Sequence, residues 1–350
     1  MTKTKTGVLL ACAGALAAVF ACVVSADDAE RAMLEQARQF FKPLPPDAST
    51  PERPVTPQRV ALGKALFFEP RVSIDGTVSC AKCHQPTLHG TDALPTSIGN
   101  QGKVLPRNAP TVFNTALQFV QHYGGNRRDV EEQAVKALVS PLAYGNPDYA
   151  AAEARLRAIP GYRAMFEQAF PGEAEPVTAD NWGRAIGAYE RTLLTPAPFD
   201  RYLAGDTGAL NAQAKRGLEK FMAFGCSGCH NGVTVGGQMY QKFGLTQDYW
   251  TATGSQKIDK GRFNDTKNEA DTYIFKVQQL RNVAVTPPYF HDGSVADLRD
   301  AVRIMAKLQL GRDVSADDIA DIVAFLGSLT GEVPAEFAAA PSLPPAAFRN

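Results

Sequence analysis

Two copies of the pattern Cys-x-x-Cys-His constrain this chain more than any other feature. They consist of Cys80, Cys83 and His84, and of Cys226, Cys229 and His230. The pattern is the signature of c-type haem attachment, in which both thiols bond to the haem and the adjacent histidine becomes the proximal ligand of the iron. The sequence therefore predicts two covalently bound c-type haems, with His84 and His230 as their proximal ligands.

A structural zinc site is the alternative interpretation of these four cysteines. Two Cys-x-x-Cys pairs commonly bind one tetrahedral zinc ion. A zinc site would not explain why a histidine follows each pair directly. The two remaining cysteines, Cys12 and Cys22, lie in an N-terminal segment that we expect to be removed. Haem attachment is therefore the favoured interpretation.

The N-terminal segment has the features of a bacterial signal peptide, which we assign to residues 1–26. Lys3 and Lys5 give it a positive start, residues 8–24 are apolar, and small residues precede a cleavage site after Ala26. We therefore predict export to the periplasm and no membrane span in the mature chain. A lipid anchor is less favoured, because a phenylalanine interrupts the required motif.

The charge balance limits the partners that the chain is expected to bind. Its 36 basic and 36 acidic residues give a formal net charge of zero. Proteins that bind nucleic acids or acidic membrane surfaces usually carry a basic excess or a basic cluster. We therefore predict neither a nucleic acid nor a membrane surface as partner.

Apolar residues recur at helical spacing along much of the chain, as in residues 33–41, 130–138 and 319–329. Three pairs predict helix N-caps, namely Asp129 with Glu132, Ser294 with Asp297, and Ser315 with Asp318. Strand patterns are scarce. We predict a mainly α fold, built from two tandem cytochrome c-like haem domains with long loops.

A proline-rich stretch at residues 195–198 marks the predicted domain boundary. It separates an N-terminal haem domain, residues 27–197, from a C-terminal haem domain, residues 198–333. Residues 334–350 are predicted to form an extended tail along the surface.

The order of motifs resembles that of the bacterial di-haem cytochrome c peroxidases and their MauG-type relatives. The resemblance covers nearly the whole mature chain. Besides the two haem motifs, it rests on residues 62–67, 94–99, 107–114, 280–283 and 286–293. It implies a peroxidatic haem in the N-terminal domain and an electron-transfer haem in the C-terminal domain.

For the electron-transfer haem, the resemblance implies a methionine as the sixth iron ligand, and Met305 matches it. Methionine ligation raises the reduction potential of a haem. The alternative is that Met305 only packs in the core, because Leu298, Val302 and Met305 share one helical face.

The peroxidatic site departs from the family pattern, so the chain resembles an atypical member. Asn100 stands where the family has a distal histidine, Ala143 replaces a distal glutamate, and Tyr123 replaces a tryptophan between the haems. Gln133 matches a distal glutamine. We therefore expect an iron site that is open without prior reduction.

Without the glutamate, another group must carry protons during peroxide cleavage. His122 is the favoured candidate, because it adjoins Tyr123 and histidine titrates near neutral pH. The alternative for His122 is a solvent-facing loop residue. Tyr144 and His89 are further candidates, although a packed tyrosine and a surface histidine are the simpler interpretations of these two.

The resemblance also implies one calcium ion between the domains, with Asn108, Thr286 and Pro288 at the matching positions. Oxygen ligands of this kind suit calcium. His291 matches a family histidine near the electron-transfer haem that is not expected to be a ligand.

Two functions remain open. The first is reduction of hydrogen peroxide with electrons from a small cytochrome or copper protein (a cupredoxin). The alternative is MauG-like, peroxide-dependent oxidation of a residue on a partner protein. Retention of Met305 favours the first, because a tyrosine ligates the second haem of MauG. The resemblance is compatible with a homodimer, since members of the family are often dimeric, but the sequence does not determine the oligomeric state.

Overall fold

The computed structural model describes residues 26–345 of the 350-residue chain, with side chains from residue 28 onward. The predicted signal peptide therefore lies outside the described residues, apart from Ala26. Among the helices of this range, none is both long and apolar enough to cross a membrane.

Helices and long loops dominate the described chain, which confirms the predicted mainly α fold. The α-helices are α1 (Ala26–Phe40), α2 (Pro57–Phe67), α3 (Cys80–Cys83), α4 (Val130–Leu138), α5 (Tyr149–Arg157), α6 (Tyr162–Ala169), α7 (Ala179–Glu190), α8 (Pro198–Ala204), α9 (Ala212–Ala223), α10 (Tyr249–Thr253), α11 (Phe263–Thr266), α12 (Leu298–Leu310), α13 (Ala316–Gly327) and α14 (Ala335–Ala338). Two short strands, β1 (Tyr240–Lys242) and β2 (Ile274–Lys276), pair antiparallel with Tyr240 opposite Lys276.

Side-chain caps fix where several helices begin. Asp129 Oδ1 and Ser315 Oγ each accept a hydrogen bond from the backbone N–H three residues later, at 2.7 Å and 3.1 Å, which confirms both predicted N-caps. The third prediction was wrong. Asp297 itself caps α12, because its carboxylate reaches two free N–H groups of the first turn, and Ser294 lies outside the helix.

The same helix crossing occurs twice. Helix α2 crosses α7 so closely that a Cβ on Gly63 would lie 1.9 Å from Ala185 O. Helix α9 crosses α13 equally closely, since a Cβ on Gly217 would lie 1.9 Å from Asp321 O. Only glycine leaves room for such an approach. Each pair begins with the helix that leads into one Cys-x-x-Cys-His motif, so the haem motifs sit on equivalent scaffolds.

Two apolar cores accompany these crossings. The first contains buried residues of α2 and α4 to α7, including Phe67, Trp182 and Tyr189. The second contains residues of α8, α9 and α13. It also contains Leu34 from α1 and Phe41, which directly follows α1. Helix α1, which the sequence assigned to the N-terminal domain, thus packs in the core of the C-terminal one. The domain limits themselves stay a prediction.

The C-terminal tail returns to the first core. Its predicted extended course is interrupted by helix α14, in which Phe337 is fully buried. The Phe337 ring lies 5.1 Å from that of Phe113 and 5.8 Å from that of Phe67, measured between centroids. Burial of an aromatic ring stabilises by about 2 kcal/mol or more, so this ring anchors the tail.

A third cluster, built around β2, α10 and α12, lies where the two halves of the chain meet. It includes Tyr123, Phe243, Tyr249, Phe275 and Ile304. The backbone N–H of residue 276 on β2 donates to Tyr123 O at 2.8 Å, which joins the strand to the loop before α4.

Candidate haem sites

The first motif occupies a single turn of helix. Helix α3 ends at Cys83, and the backbone N–H of His84 donates to Cys80 O at 3.0 Å. Cys80, Cys83 and His84 all line one cavity, and both cysteines are free thiols. Burial raises the pKa of Cys80 to about 12, so the free thiol stays protonated at neutral pH.

The second motif follows α9 and lines a separate cavity. Cys226 begins a short 3₁₀ turn, and Cys229 and His230 follow it on the same cavity wall. The rest of this wall is largely apolar and includes Phe221 and Leu298. Because the two cysteine pairs lie in different cavities, and no cluster of three or more metal-binding side chains occurs in the described chain, the geometry does not support a Cys₄ zinc site.

The two proximal histidines are held in the same way. His84 Nδ1 lies 3.0 Å from Gly90 O, and His230 Nδ1 lies 3.1 Å from Gln278 O. A carbonyl oxygen only accepts, so Nδ1 carries the proton and donates it in both rings. This leaves each Nε2 with a free lone pair, as an iron ligand requires. Burial lowers the pKa of both imidazoles, to about 4 for His230, which keeps them neutral.

The two cavities share one wall, so the sites are neighbours. The residues that line both cavities are Asn108, Ala109, Pro110, Thr111, Tyr123, Lys276, Gln278 and His291. Tyr123 stands in this wall, as expected for a residue between two haems, and its hydroxyl donates to Asn108 Oδ1 and Phe290 O, at 3.3 Å in each case.

Met305 lines the second cavity together with His230. It projects from α12, whose residues Leu298 and Val302 line the same wall. The structure thus places the thioether in the cavity where a sixth ligand is needed. Packing and ligation are both compatible with this position, and ligation stays a prediction.

Asn100 does not line the first cavity. Its side chain is fully buried, and Nδ2 donates to Pro141 O at 2.9 Å and to Ala143 O at 2.8 Å. Oδ1 accepts from Lys103 Nζ at 3.1 Å. Asn100 therefore ties down the segment around Ala143, which does line the cavity, and offers no ligand to it.

Gln133 and Tyr144 both face the first cavity. Gln133 projects from α4. The Tyr144 hydroxyl lies 3.6 Å from Cys80 Sγ, and its ring packs edge-on against Trp182 at 5.7 Å between centroids. Burial raises the pKa of Tyr144 far above its ordinary value, so its phenol stays protonated.

His122 lines the first cavity, and its tautomer follows from its neighbours. Asn126 Nδ2 donates to Asp265 Oδ1 at 2.8 Å, so the amide oxygen of Asn126 faces His122 Nδ1 at 2.9 Å. His122 Nδ1 must then be the donor, and Nε2 remains an acceptor. Burial first, and then the charge of Arg127, lower the pKa of His122 to about 4, so the ring is neutral at neutral pH.

The backbone of His122 has a φ of 67°, in the left-handed region that non-glycine residues rarely adopt. Such a conformation persists only where the surrounding structure holds it, often at functional sites. His89, the other histidine candidate, lines neither cavity.

The predicted calcium residues lie around one wall. Asn108, Thr286 and Pro288 all line the second cavity. Asn108 Nδ2 donates to Leu94 O at 2.8 Å, which directs the amide oxygen away from that carbonyl. His291 is buried beside them, and its Nε2 has no hydrogen-bond partner within the described residues. The calcium site stays a prediction.

Two buried ionisable groups at the cavities were missed from the sequence. Glu190, at the end of α7, lines the first cavity, where burial and then Glu131 raise its pKa to about 8. Lys276, on β2, lines both cavities. A lone glutamate on a helix and a lysine on a strand give no signal in the sequence, because only the fold shows that they are buried.

Comparison with known proteins agrees with this geometry. A family model described as di-haem cytochrome c peroxidase matches residues 57–208. A cytochrome c551 peroxidase of Pseudomonas aeruginosa is 44% identical over 324 residues, which are 92% of this chain and 92% of that protein. The methylamine utilization protein MauG of Methylorubrum extorquens is 33% identical over 93% of both chains.

Among solved structures, a MauG-like protein associated with microbial copper homeostasis superposes with a TM-score of 0.76 and 28% identity, over 85% of this chain and 97% of its own. The extent and the identity of these matches agree with the two tandem haem motifs and with the two cavities that contain them. The chain belongs to the di-haem cytochrome c peroxidase family and is an oxidoreductase that carries two haems.

Proposed function

We propose that this protein reduces hydrogen peroxide in the periplasm, with electrons from a small cytochrome or cupredoxin. The reaction breaks the O–O bond and consumes two electrons and two protons, giving two waters. The similar protein from Pseudomonas aeruginosa is named a cytochrome c551 peroxidase, which supports a small cytochrome as donor.

The observation that carries this proposal is the unlike lining of two equivalent cavities. The cavity of His230 has Met305 on its wall. The cavity of His84 has polar side chains, and Asn100 does not reach into it, because its side chain bonds to Pro141 O instead. A methionine ligand favours the ferrous state and suits electron entry. An open site with acid–base groups suits peroxide.

The residues present fit two covalently attached haems. Each cavity offers two free thiols and one imidazole whose Nε2 is a free acceptor. In the first cavity, Cys80 and Cys83 would attach the haem and His84 would bind its iron. In the second cavity Cys226, Cys229 and His230 would do the same. The haems supply the redox-active iron at which peroxide binds and electrons are stored.

Proton transfer falls to the distal residues of the first cavity. His122 Nε2 accepts the proton of the bound peroxide oxygen and returns it to the leaving oxygen, which departs as water. The Asn126–Asp265 pair holds Nδ1–H of His122 in place, so the ring keeps its tautomer during this exchange. Gln133 orients the peroxide by hydrogen bonding from the same wall.

Tyr123 lies in the wall through which electrons pass from the second cavity to the first. Burial raises the pKa of its phenol above the ordinary value, so the hydroxyl stays protonated and keeps its hydrogen bonds to Asn108 and Phe290. A calcium ion bound by Asn108, Thr286 and Pro288 would brace the same wall. The oxygen-rich donor set suits this ion.

The test of this function is steady-state turnover of the haem-loaded protein. Reduced small cytochrome should be oxidised in a saturable, peroxide-dependent manner, with two cytochromes consumed per peroxide. His89→Ala serves as a matched histidine control, because His89 lines neither cavity, and it should keep the full rate. Absence of turnover with both cytochrome and cupredoxin donors would contradict the proposal.

Peroxide-dependent oxidation of a residue on a partner protein is the second candidate function. The likeness to MauG and to the MauG-like structure supports it, and so does the open first cavity. It predicts a peroxide-dependent mass change on the partner, with little oxidation of small cytochromes. The position of Met305 in the second cavity favours the peroxidase.

A further inference from the structure

Lys276 is a buried cation in the wall between the two cavities. Its side chain is 4% exposed, yet it lines both cavities. Nζ donates to Gln118 Oε1 and, at 3.3 Å, to Val120 O. Both acceptors are neutral. An ammonium has three N–H donors, so one remains for a further acceptor.

Within the described residues, no carboxylate pairs with this ammonium. Burial lowers the pKa of Lys276 to about 7. Removing an unpaired charge from water costs several kcal/mol, so buried lysines are normally paired or neutral. The folded chain therefore presents a cation site without its anion.

A second cation faces the first cavity in a similar way. Arg127 lines that cavity, and its Nε is buried without a hydrogen-bond partner in the described part of the chain. Its Nη1 donates only to a backbone carbonyl, Asn126 O, at 2.7 Å. Two cationic side chains with unused donors thus face one cavity.

The direction of Nζ identifies the cavity. Gln118, which accepts from Nζ, lines the first cavity and not the second. The charged end of Lys276 therefore lies toward the site of His84, and its stem lies along the wall of the other site.

We propose that Lys276, with Arg127 beside the same cavity, is the counter-ion of a propionate carboxylate of the first haem and holds the reduction potential of that haem up. Ferric haem carries one more positive charge than ferrous haem. A nearby cation destabilises the ferric state, and a propionate without its counter-ion would stabilise that state.

The test is a spectroscopic redox titration of the haem-loaded protein, which reads potentials and needs no peroxide turnover. Lys276→Met should lower the midpoint potential of the first haem by at least about 59 mV. For one electron this is a tenfold decrease in the ferrous-to-ferric ratio at a fixed potential. The second haem should shift less. Lys276→Arg, which keeps the charge, should stay near the native value.

Lys267→Met is the matched control, because Lys267 also has no carboxylate partner among the described residues but is exposed. It should leave both midpoints in place, since exposed charges are screened. Should Lys276→Met fail to fold, Lys276→Gln keeps a donor for Gln118 and removes the charge, and the same shift is expected.

An unchanged midpoint in the Met or Gln variant would overturn the proposal and show that Lys276 is a neutral packing residue. Equal shifts from Lys276→Met and Lys276→Arg would overturn it as well, because the effect would then not follow the charge. The proposal needs bound haem but not peroxide chemistry, so it can fail while turnover is normal, and the reverse also holds.

Discussion

The cavities of His84 and His230 have equivalent scaffolds but unlike walls. Both histidines donate Nδ1–H to a backbone carbonyl, and both motifs follow a helix that crosses its partner at a glycine. What differs is the rest of the cavity wall. In the first cavity it carries His122, Gln133 and other polar groups, whereas in the second it is mostly apolar and carries Met305.

In the proposed function, the proximal side fixes haem binding, and the distal side fixes what the bound haem does. The proximal contacts use backbone carbonyls, so they depend on the fold more than on side-chain identity. The distal walls differ in side chains, with His122 and Gln133 in the first cavity and Met305 in the second, which single substitutions can exchange. Predictions that exchange distal groups therefore test the proposed division most directly.

The largest effect is expected from Met305→His, which removes the proposed difference in axial ligands. Imidazole stabilises ferric iron more than a thioether does. The ferrous-to-ferric ratio of the second haem at a fixed potential should fall about a thousandfold. This corresponds to a drop of ~180 mV in its reduction potential, at 59 mV per tenfold change. A redox titration measures it, and Met222→Leu in the neighbouring core is the control. Unchanged potentials would mean that Met305 only packs.

The next largest effect is expected from replacing His122, the proposed proton acceptor in the first cavity. His122→Ala should slow reaction with peroxide by about 10²-fold, the lower end of general acid–base contributions, and leave cyanide binding intact. Stopped-flow absorbance at the Soret band measures both. In the native protein the rate should fall as the pH drops through about 4, because protonated His122 cannot accept a proton.

The control for His122 is Asn126→Ala, which leaves the imidazole in place but frees its tautomer. It should slow the reaction less than His122→Ala does. A native rate in His122→Ala would remove His122 from the mechanism and turn attention to Gln133 or water.

A third prediction asks whether Asn100 is what keeps the first site open. The oxidised native protein should show a high-spin first haem and bind cyanide without reduction. Asn100→His should give a low-spin resting spectrum and make cyanide binding depend on prior reduction. The histidine must also give up the bonds to Pro141 and Ala143, so the segment around them has to move.

Asn100→Ala separates ligation from that movement. It loses the same two buried hydrogen bonds and should be less stable by about 1–3 kcal/mol, but it supplies no ligand, so its spectrum should stay high-spin. A native protein that is wholly low-spin would contradict the open site and indicate another side chain as ligand.

The sequence predicted the fold class and the motif residues well, because local patterns carry them. Cys-x-x-Cys-His needs only one turn of chain to bring thiols and imidazole together, and helix periodicity is equally local. The packing of α1 in the second core and the burial of Phe337 in the first were missed. Both depend on contacts between residues far apart in the chain, which no local pattern encodes.

The candidate site divides in the same way. Residues that match motifs, such as Gln133 and Met305, do line the expected cavities. The partners of His122, the clamp made by Asn100 and the burial of Lys276 became visible only in three dimensions. These features consist of hydrogen bonds and of burial from solvent, and neither can be predicted from the residue type alone.

The smallest effect is expected at Glu190, a buried carboxyl that only the first cavity has. Its pKa is raised from an ordinary value of 4.5 to about 8, so the folded state favours the protonated form. Its stabilising contribution is complete below about pH 4.5 and is lost as the pH rises toward 8. Glu190→Gln stays neutral at every pH, so its stability relative to the native protein should increase as the pH rises across this window.

Thermal unfolding of the haem-loaded proteins at pH 5 and pH 8.5 measures this change in stability. Glu175→Gln, which replaces an exposed glutamate, is the control. The gain should be about 1–3 kcal/mol, or a few degrees in Tm for a chain of this size. An equal difference at both pH values would show that the pKa of Glu190 is not raised in the haem-loaded protein.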